Sequence, residues 1–271
     1  MDEYFLLAAI MLVTGLCSGL LAGLLGIGGG IVIVPVLEAA LATQGVDPAI
    51  RMHVAVATSL ATIIPTSISS ARAHYRRQSV DVDLLRRWAV FILLGAVIGA
   101  TVAVRVESSV LATVFGCFAF LVGLKMLLPL EGKTIRDSVP RGPLGAAIPV
   151  GIGGVATMMG IGGGGLAVPV LTLCGEKIHR AVGTAALFGL LVSLPGTLGY
   201  ILGGLGDPRL PPGSLGYVNL VGFILIVPAT VVAAPIGARI AHSLSRRRLG
   251  VVFGCFLLLI SARMIYRAVA G

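Results

Sequence analysis

The chain predicts an all-α integral membrane protein of about ten transmembrane or re-entrant helices, arranged as two inverted five-helix repeats. Three observations predict it. Of 271 residues, 57% are hydrophobic and only 11% charged, with a mean hydropathy of +1.04. A soluble domain carries about 25% charged residues, so lipid must solvate the outside of this fold. Apolar segments follow one another along the whole chain, most of them near the ~20 residues that cross a hydrocarbon core. The sequence also repeats itself in order. GIGGGIVIVPVL (26–37) returns as GIGGGGLAVPVL (160–171), VATS (56–59) is answered by GTAA (183–186), and VFGCF (114–118) returns as VFGCF (252–256).

The first segment, 4–24, opens with Asp2 and Glu3 where a signal peptide has basic residues, so it reads as a retained helix. Leu16 before Cys17 is a poor match to the small residue that precedes a lipidated cysteine. Gly15, Gly19 and Gly23 recur every fourth residue, a spacing that serves close helix packing. A glycine run then breaks the chain before a short segment at 29–42. Long segments follow at 51–72, 88–106, 108–128 and 143–158. A second glycine run precedes a short segment at 163–174, and the last long segments lie at 181–203, 217–241 and 249–268. The first repeat thus spans 1–130, a polar connector 131–142, and the second repeat 143–271.

Charge sets the orientation. With ten segments, Arg72, Arg76, Arg77, Arg86, Arg87, the connector's Lys133, Arg136 and Arg141, Lys177, Arg180 and Arg246–Arg248 all fall on one side. The other side holds Arg51, Arg105 and Arg209, with Arg267 at the C-terminal end. The basic side is expected to be cytoplasmic, which places the protein in the cell membrane with both termini outside. The basic loop 72–87 corresponds in the repeat to 203–216, which holds a single Arg. Loop 242–248 corresponds likewise to 105–109. Equivalent loops of opposite character are what two inverted halves produce.

Composition excludes several classes. The net charge of +9 sits in short loops rather than on a basic face with interleaved aromatics, so nucleic acid is not expected as a partner. Cys17, Cys117, Cys174 and Cys255 form no CxxC pair, and no metal or other cofactor is expected. No Lys-Ser or Lys-Thr follows the glycine runs, which excludes a phosphate-binding loop for nucleotide hydrolysis. Neither a GxSG-like serine with a helix-borne histidine nor a paired aspartate motif is present, so the chain is not read as an enzyme.

The candidate site residues are those of an anion path. Gly28, Gly29, Gly30 and Gly162, Gly163, Gly164 stand at the two breaks, with Pro35 and Pro169 as helix-break support. Non-helical backbone at membrane depth survives only when it is buried in protein or lines a wet cavity, and the N–H groups opening the next helix suit an anion. Thr58, Ser59 and Ser67 on the third segment, and Thr184 and Ser193 on the eighth, offer hydroxyl donors. Arg263 is the candidate buried cation, and Glu38 the exceptional carboxylate within an apolar segment. His53, His74, His179 and His242 lie near segment ends, leaving protons as a candidate coupling ion without a placed residue.

The paired GIGGG…VPVL motifs, AHYRR (73–77) and HRAVGTAAL (179–187) together resemble the TauE/SafE sulfite exporter family of bacterial and archaeal permeases, over nearly the whole chain. The resemblance implies a secondary transporter, exporter or importer, of a small sulfur-containing anion such as sulfite, thiosulfate or an organosulfonate. Its substrate would sit between the two repeats and move by alternating access. An anion channel, or a structural membrane subunit without transport, are the other readings, and a homo-oligomer is compatible with all of them. One departure from symmetry is visible: Gly165 stands where the first half has Ile31.

Overall fold

The computed structural model describes residues 2–25, 29–127, 138–140, 142–240 and 246–270. The connector 131–142 and its basic residues therefore lie largely outside the described residues, as do Gly28 and His242. The described residues form ten helices. The first half holds α1 (Asp2–Leu25), α2 (Gly30–Thr43), α3 (Pro48–Arg76), α4 (Val82–Ala103) and α5 (Ser108–Leu127). The second holds α6 (Pro143–Met159), α7 (Gly164–Leu173), α8 (Ile178–Gly204), α9 (Leu220–Ile240) and α10 (Arg246–Ala270). Among the described residues α3, α4, α5, α8 and α9 are long and apolar enough to cross a membrane. At 14 and 10 residues, α2 and α7 span only about 21 and 15 Å, half a bilayer at most.

Local chemistry explains where boundaries depart from the hydropathy reading. Helix α3 begins earlier than residue 51 because the Asp47 side chain accepts the Ala49 N–H at 2.9 Å and Pro48 takes the first helical position. Helix α9 begins at Leu220 rather than 217. The preceding chain makes a hairpin of β1 (Ser214–Leu215) and β2 (Val218–Asn219), and Asn219 caps α9 by accepting the Gly222 N–H at 2.8 Å. The loop ahead of the hairpin is tied down by Arg209, which donates two side-chain hydrogen bonds to Asp207, at 2.9 and 2.6 Å. These bonds hold the Asp207 carboxyl down at about 2, so the clamp is intact at neutral pH and is lost as pH falls through that value.

Helices meet through small residues, as expected where lipid tails are as apolar as leucine and close packing must supply the attraction. Gly15 of α1 faces Ile226 and Ala229 of α9, and Gly19 faces Thr230 and Ala233, so these helices run parallel. Gly95 and Gly99 of α4 face Val150 and Gly154 of α6, again parallel. In the centre α3 and α8 cross antiparallel, with Gly189 on Ser67 and Gly196 on Leu60. At one flank α5 and α10 are antiparallel too. Gly116 meets Met264 and Ile265, Gly123 meets Gly254, and the Ser261 hydroxyl donates to the Gly116 carbonyl at 2.8 Å.

Two further ties fix directions. The Thr58 hydroxyl accepts the Asn219 N–H at 2.9 Å, and Thr66 donates to Thr230 at 3.1 Å, so α3 and α9 are parallel. The Thr184 hydroxyl accepts the Asp81 N–H at 2.9 Å, and Gly199 and Gly203 face Ala100 and Val104, so α8 and α4 are parallel. Helices α1, α3 and α9 therefore run one way, and α6, α8 and α4 the other. Arg72, Arg76, Arg77 and Arg239 consequently share an end with Arg86, Arg87 and Arg180.

The α4–α6 contact gives a stability test. A Gly99→Leu substitution has to push backbone apart, and overpacking of this kind costs about 1–3 kcal/mol. The thermal midpoint of the detergent-purified protein is expected to fall by about 5 °C, while Gly151→Ala, which opens onto space with nothing within 4 Å, leaves it unchanged. Equal midpoints for Gly99→Leu and the native protein would show that this contact does not hold the helices together.

Candidate functional site

The site is built around the two helix breaks. Helix α6 ends on Gly160 at φ 67°, with the Ile161 N–H on the Ala156 carbonyl at 3.1 Å and the Gly160 N–H on the Thr157 carbonyl at 3.3 Å. This cap calls for a left-handed residue, which glycine supplies without a Cβ penalty. Gly29, at φ 69°, performs the matching reversal ahead of α2. The two breaks then touch: a Cβ on Gly30 would run into the Gly160 carbonyl and lie 2.9 Å from the Ser59 hydroxyl. Ser59 donates to that same carbonyl at 2.7 Å, and Ser18 of α1 donates to the Gly29 carbonyl at 3.0 Å. Both left-handed turns thus have a carbonyl satisfied by a serine from another helix.

At the start of α7 lies a narrow cavity of about 10 Å³, room for the centre of about one water. Thr66, Ser67 and Ser70 of α3 face Gly164 at the start of α7 across it, and Ala185, Ala186 and Gly189 of α8 with Ala22 of α1 close it. No charged side chain lines it. Thr66 spends its hydroxyl on the Thr62 carbonyl and on Thr230. Ser67 and Ser70 make no side-chain hydrogen bond among the described residues, although each is buried.

The remaining predicted residues divide clearly. Gly164 and Ser67 come together at the cavity. Gly29, Gly30 and Gly163 lie in tight packing, the last against Phe188. Gly162 is buried and accepts the Gly165 N–H at 3.1 Å. Pro35 and Pro169 sit inside the short helices, each removing one ladder hydrogen bond. Thr58 and Thr184 hold the N-terminal residues of α9 and α4, and Ser193 bonds its own helix at the Leu190 carbonyl, 3.4 Å away. Thr58 and Thr184 thus make the same kind of tie, each accepting the backbone N–H of the residue that caps a helix of the other half. Arg263 is partly exposed and lies 3.3 Å from Glu38, which Arg51 also approaches at 3.7 Å; the buried carboxylate is flanked by two guanidinium groups.

Two features had no clear sequence signal. At the end of the bundle opposite Arg72, buried His53 shares its Nε2 with the carbonyls of Ala103 and Val106, both at 3.1 Å, and packs against Tyr217 and Tyr200. The Tyr200 hydroxyl is buried and has no hydrogen-bond partner among the described residues. Between α3 and α9, a cavity of about 540 Å³ is lined by Arg72, Arg76, Arg77 and Arg239 at one end and by Pro65, Ile68, Val231 and Pro235 further in.

Comparison with known proteins places this architecture. The chain is 32% identical over 265 residues to "Probable membrane transporter protein" of Haemophilus influenzae, with 97% of this chain and 100% of that one covered. It is 28% identical to "Probable membrane transporter protein YunE" of Bacillus subtilis, covering 96% and 98%. Against "Probable membrane transporter protein YfcA" of Escherichia coli K12 the identity is 26%, covering 96% and 90%. No solved structure matches the chain. The family described as "Sulfite exporter TauE/SafE" matches residues 11–264, a span that runs from α1 to α10 and takes in both glycine breaks and the cavity between them. A multi-pass membrane protein with paired broken helices, this chain belongs to the TauE/SafE family of membrane transporters.

Proposed function

We propose that the protein is a secondary transporter of a small sulfur-containing anion, such as sulfite, thiosulfate or an organosulfonate, working by alternating access at the α3–α8 crossing. The observation that carries this reading is the narrow cavity where the Ser67 and Ser70 hydroxyls, which make no side-chain hydrogen bond among the described residues, face the N-terminal residue of α7. Hydroxyl donors and a helix N-terminus favour an oxyanion. Glu38, the buried carboxylate among the described residues, is engaged by arginines. The family name supports sulfite among the substrates.

In the same reading the two halves are inverted repeats. The opposed directions of α1, α3 and α9 against α6, α8 and α4 support it, since each repeat-related pair contributes one member to each group. The basic end is then cytoplasmic and the termini lie outside. A cavity the size of one water must widen to admit an oxyanion, so α3 and α8 have to part. Because α1 is packed along α9 and α4 along α6, the bodies that rock are these interleaved pairs rather than one repeat against the other. Protons are the coupling ion of this reading, taken up at His53. The groups facing it are the Tyr200 and Tyr217 rings and the backbone of Ala103, Val106 and Ala49, with the Arg209 charge nearby.

Three outcomes follow. Radiolabelled sulfite uptake into proteoliposomes is expected to saturate. Ser67→Ala raises its KM about tenfold, the worth of one charge-assisted hydrogen bond. Ser67→Leu, which fills the cavity, abolishes uptake while the protein still inserts; normal flux in that variant would remove the site. Sulfite or a sulfonate is also expected to raise the thermal midpoint of the purified protein, with sodium, potassium and sugars leaving it unmoved; a response to a cation alone would overturn the anion reading. Finally, His53→Gln should leave counterflow intact and make uptake insensitive to an imposed pH gradient, and retained sensitivity would place the proton elsewhere.

A further inference from the structure

We infer that the arginine-lined groove between α3 and α9 is a binding site for an anionic phospholipid of the leaflet at the basic end of the bundle. The two helices run parallel there, and the stripe Pro65, Ile68, Arg72, Arg76 on α3 faces Val231, Pro235 and Arg239 on α9. The groove therefore changes character along its length, apolar towards the bilayer centre and cationic at the end. Helix α3 is 29 residues long, about 43 Å, so its last turns stand beyond the hydrocarbon core at headgroup height. A phosphodiester with its first acyl carbons has this same division of polarity along its length.

The groove opens on lipid rather than on the transport path. The path side of α3 carries Thr66, Ser67 and Ser70, on a different helical face. Placing Thr58 against Thr184 makes Ile68, Arg72 and Arg76 the counterparts of Leu194, Leu198 and Leu202 on α8. Those leucines are 43%, 60% and 69% exposed, which in this fold means facing acyl chains. On α9, Val232 and Ile236 beside the groove are likewise exposed. At equivalent perimeter positions one end of the molecule thus carries leucines and the other carries arginines. Arg72, Arg76 and Arg239 pair with no carboxylate among the described residues. A basic pocket between membrane helices, about 540 Å³ in size, suits a lipid phosphate.

The test is lipid retention by the purified full-length protein in native mass spectrometry, with phosphatidylglycerol, phosphatidylcholine and inorganic sulfate as probes. Phosphatidylglycerol is expected to be retained selectively over phosphatidylcholine. Arg72→Gln and Arg239→Gln should each weaken that retention about fivefold, the worth of one arginine near a headgroup, while Arg105→Gln at the opposite end leaves it unchanged. Equal retention of the two lipids by the native protein overturns the assignment and needs no variant. So does phosphatidylglycerol retention that survives both groove substitutions. Thermal stabilisation by sulfate through the same arginines, with none from phosphatidylglycerol, would show a soluble-anion site instead. Transport is not among these readouts, so the outcome leaves the sulfur-anion reading to its own experiments.

Discussion

Everything in this fold leans on the contact between two helix breaks. The backbone at Gly30 lies against the carbonyl of Gly160, and the Ser59 hydroxyl closes over that carbonyl. Within a bilayer each unsatisfied backbone group costs several kcal/mol, because no water is at hand to replace a lost partner. A broken helix at this depth is therefore stable only if other helices supply the missing hydrogen bonds at close range. Ser59 does so for the Gly160 carbonyl, while the Gly29 carbonyl accepts from Val32 and Ile33 of α2 and in addition from Ser18; close range is attainable because Gly29, Gly30 and Gly160 have no side chains.

The second organising feature is an exchange between the halves. Thr58 of the first half holds the capping residue of α9, and Thr184 of the second holds that of α4. Each cap, Asn219 or Asp81, then satisfies its own helix through a side-chain oxygen. A helix cap contributes about 1 kcal/mol, and here both caps are positioned by a residue of the opposite half. Together with the α1–α9 and α4–α6 packing, this makes the two halves one interleaved body. Neither half could close its glycine-lined faces alone.

Much of this was legible in the chain. Ten helices were countable because apolar length is a direct physical demand of the bilayer, and the duplicated GIGGG motif marked where helices break. The α3 start and the hairpin before α9 were not legible: the first depends on a single Asp47 hydrogen bond, the second on strands of two residues that carry no periodicity. Within the site, glycine was recognisable as a breaker, but whether a given glycine packs or lines space depends on the register of α3 against α8. That register puts Gly30 and Gly163 into contacts and Gly164 beside the cavity. Ser67 was singled out; Ser70 and Thr66, one turn away or adjacent, were indistinguishable from hydroxyls that only satisfy their own helix. The arginine groove needs α9 to lie parallel beside α3, which no local pattern encodes.

The placement of charge makes physical sense for the anion carrier proposed above. A guanidinium inside a low-dielectric cavity would bind an oxyanion tightly, and tight binding slows release as much as it aids capture. Conduction and transport both need a site favourable enough to enter and weak enough to leave. Neutral hydroxyls and backbone N–H groups contribute about 0.5–1.5 kcal/mol each to a neutral partner and about 1.5–3 to a charged one. Two or three such donors hold an anion without trapping it. The described arginines stand instead at the ends and perimeter of the bundle, and Arg51 and Arg263 flank buried Glu38. In the proposed reading, a buried cation beside Ser67 would hold the anion too tightly to release it.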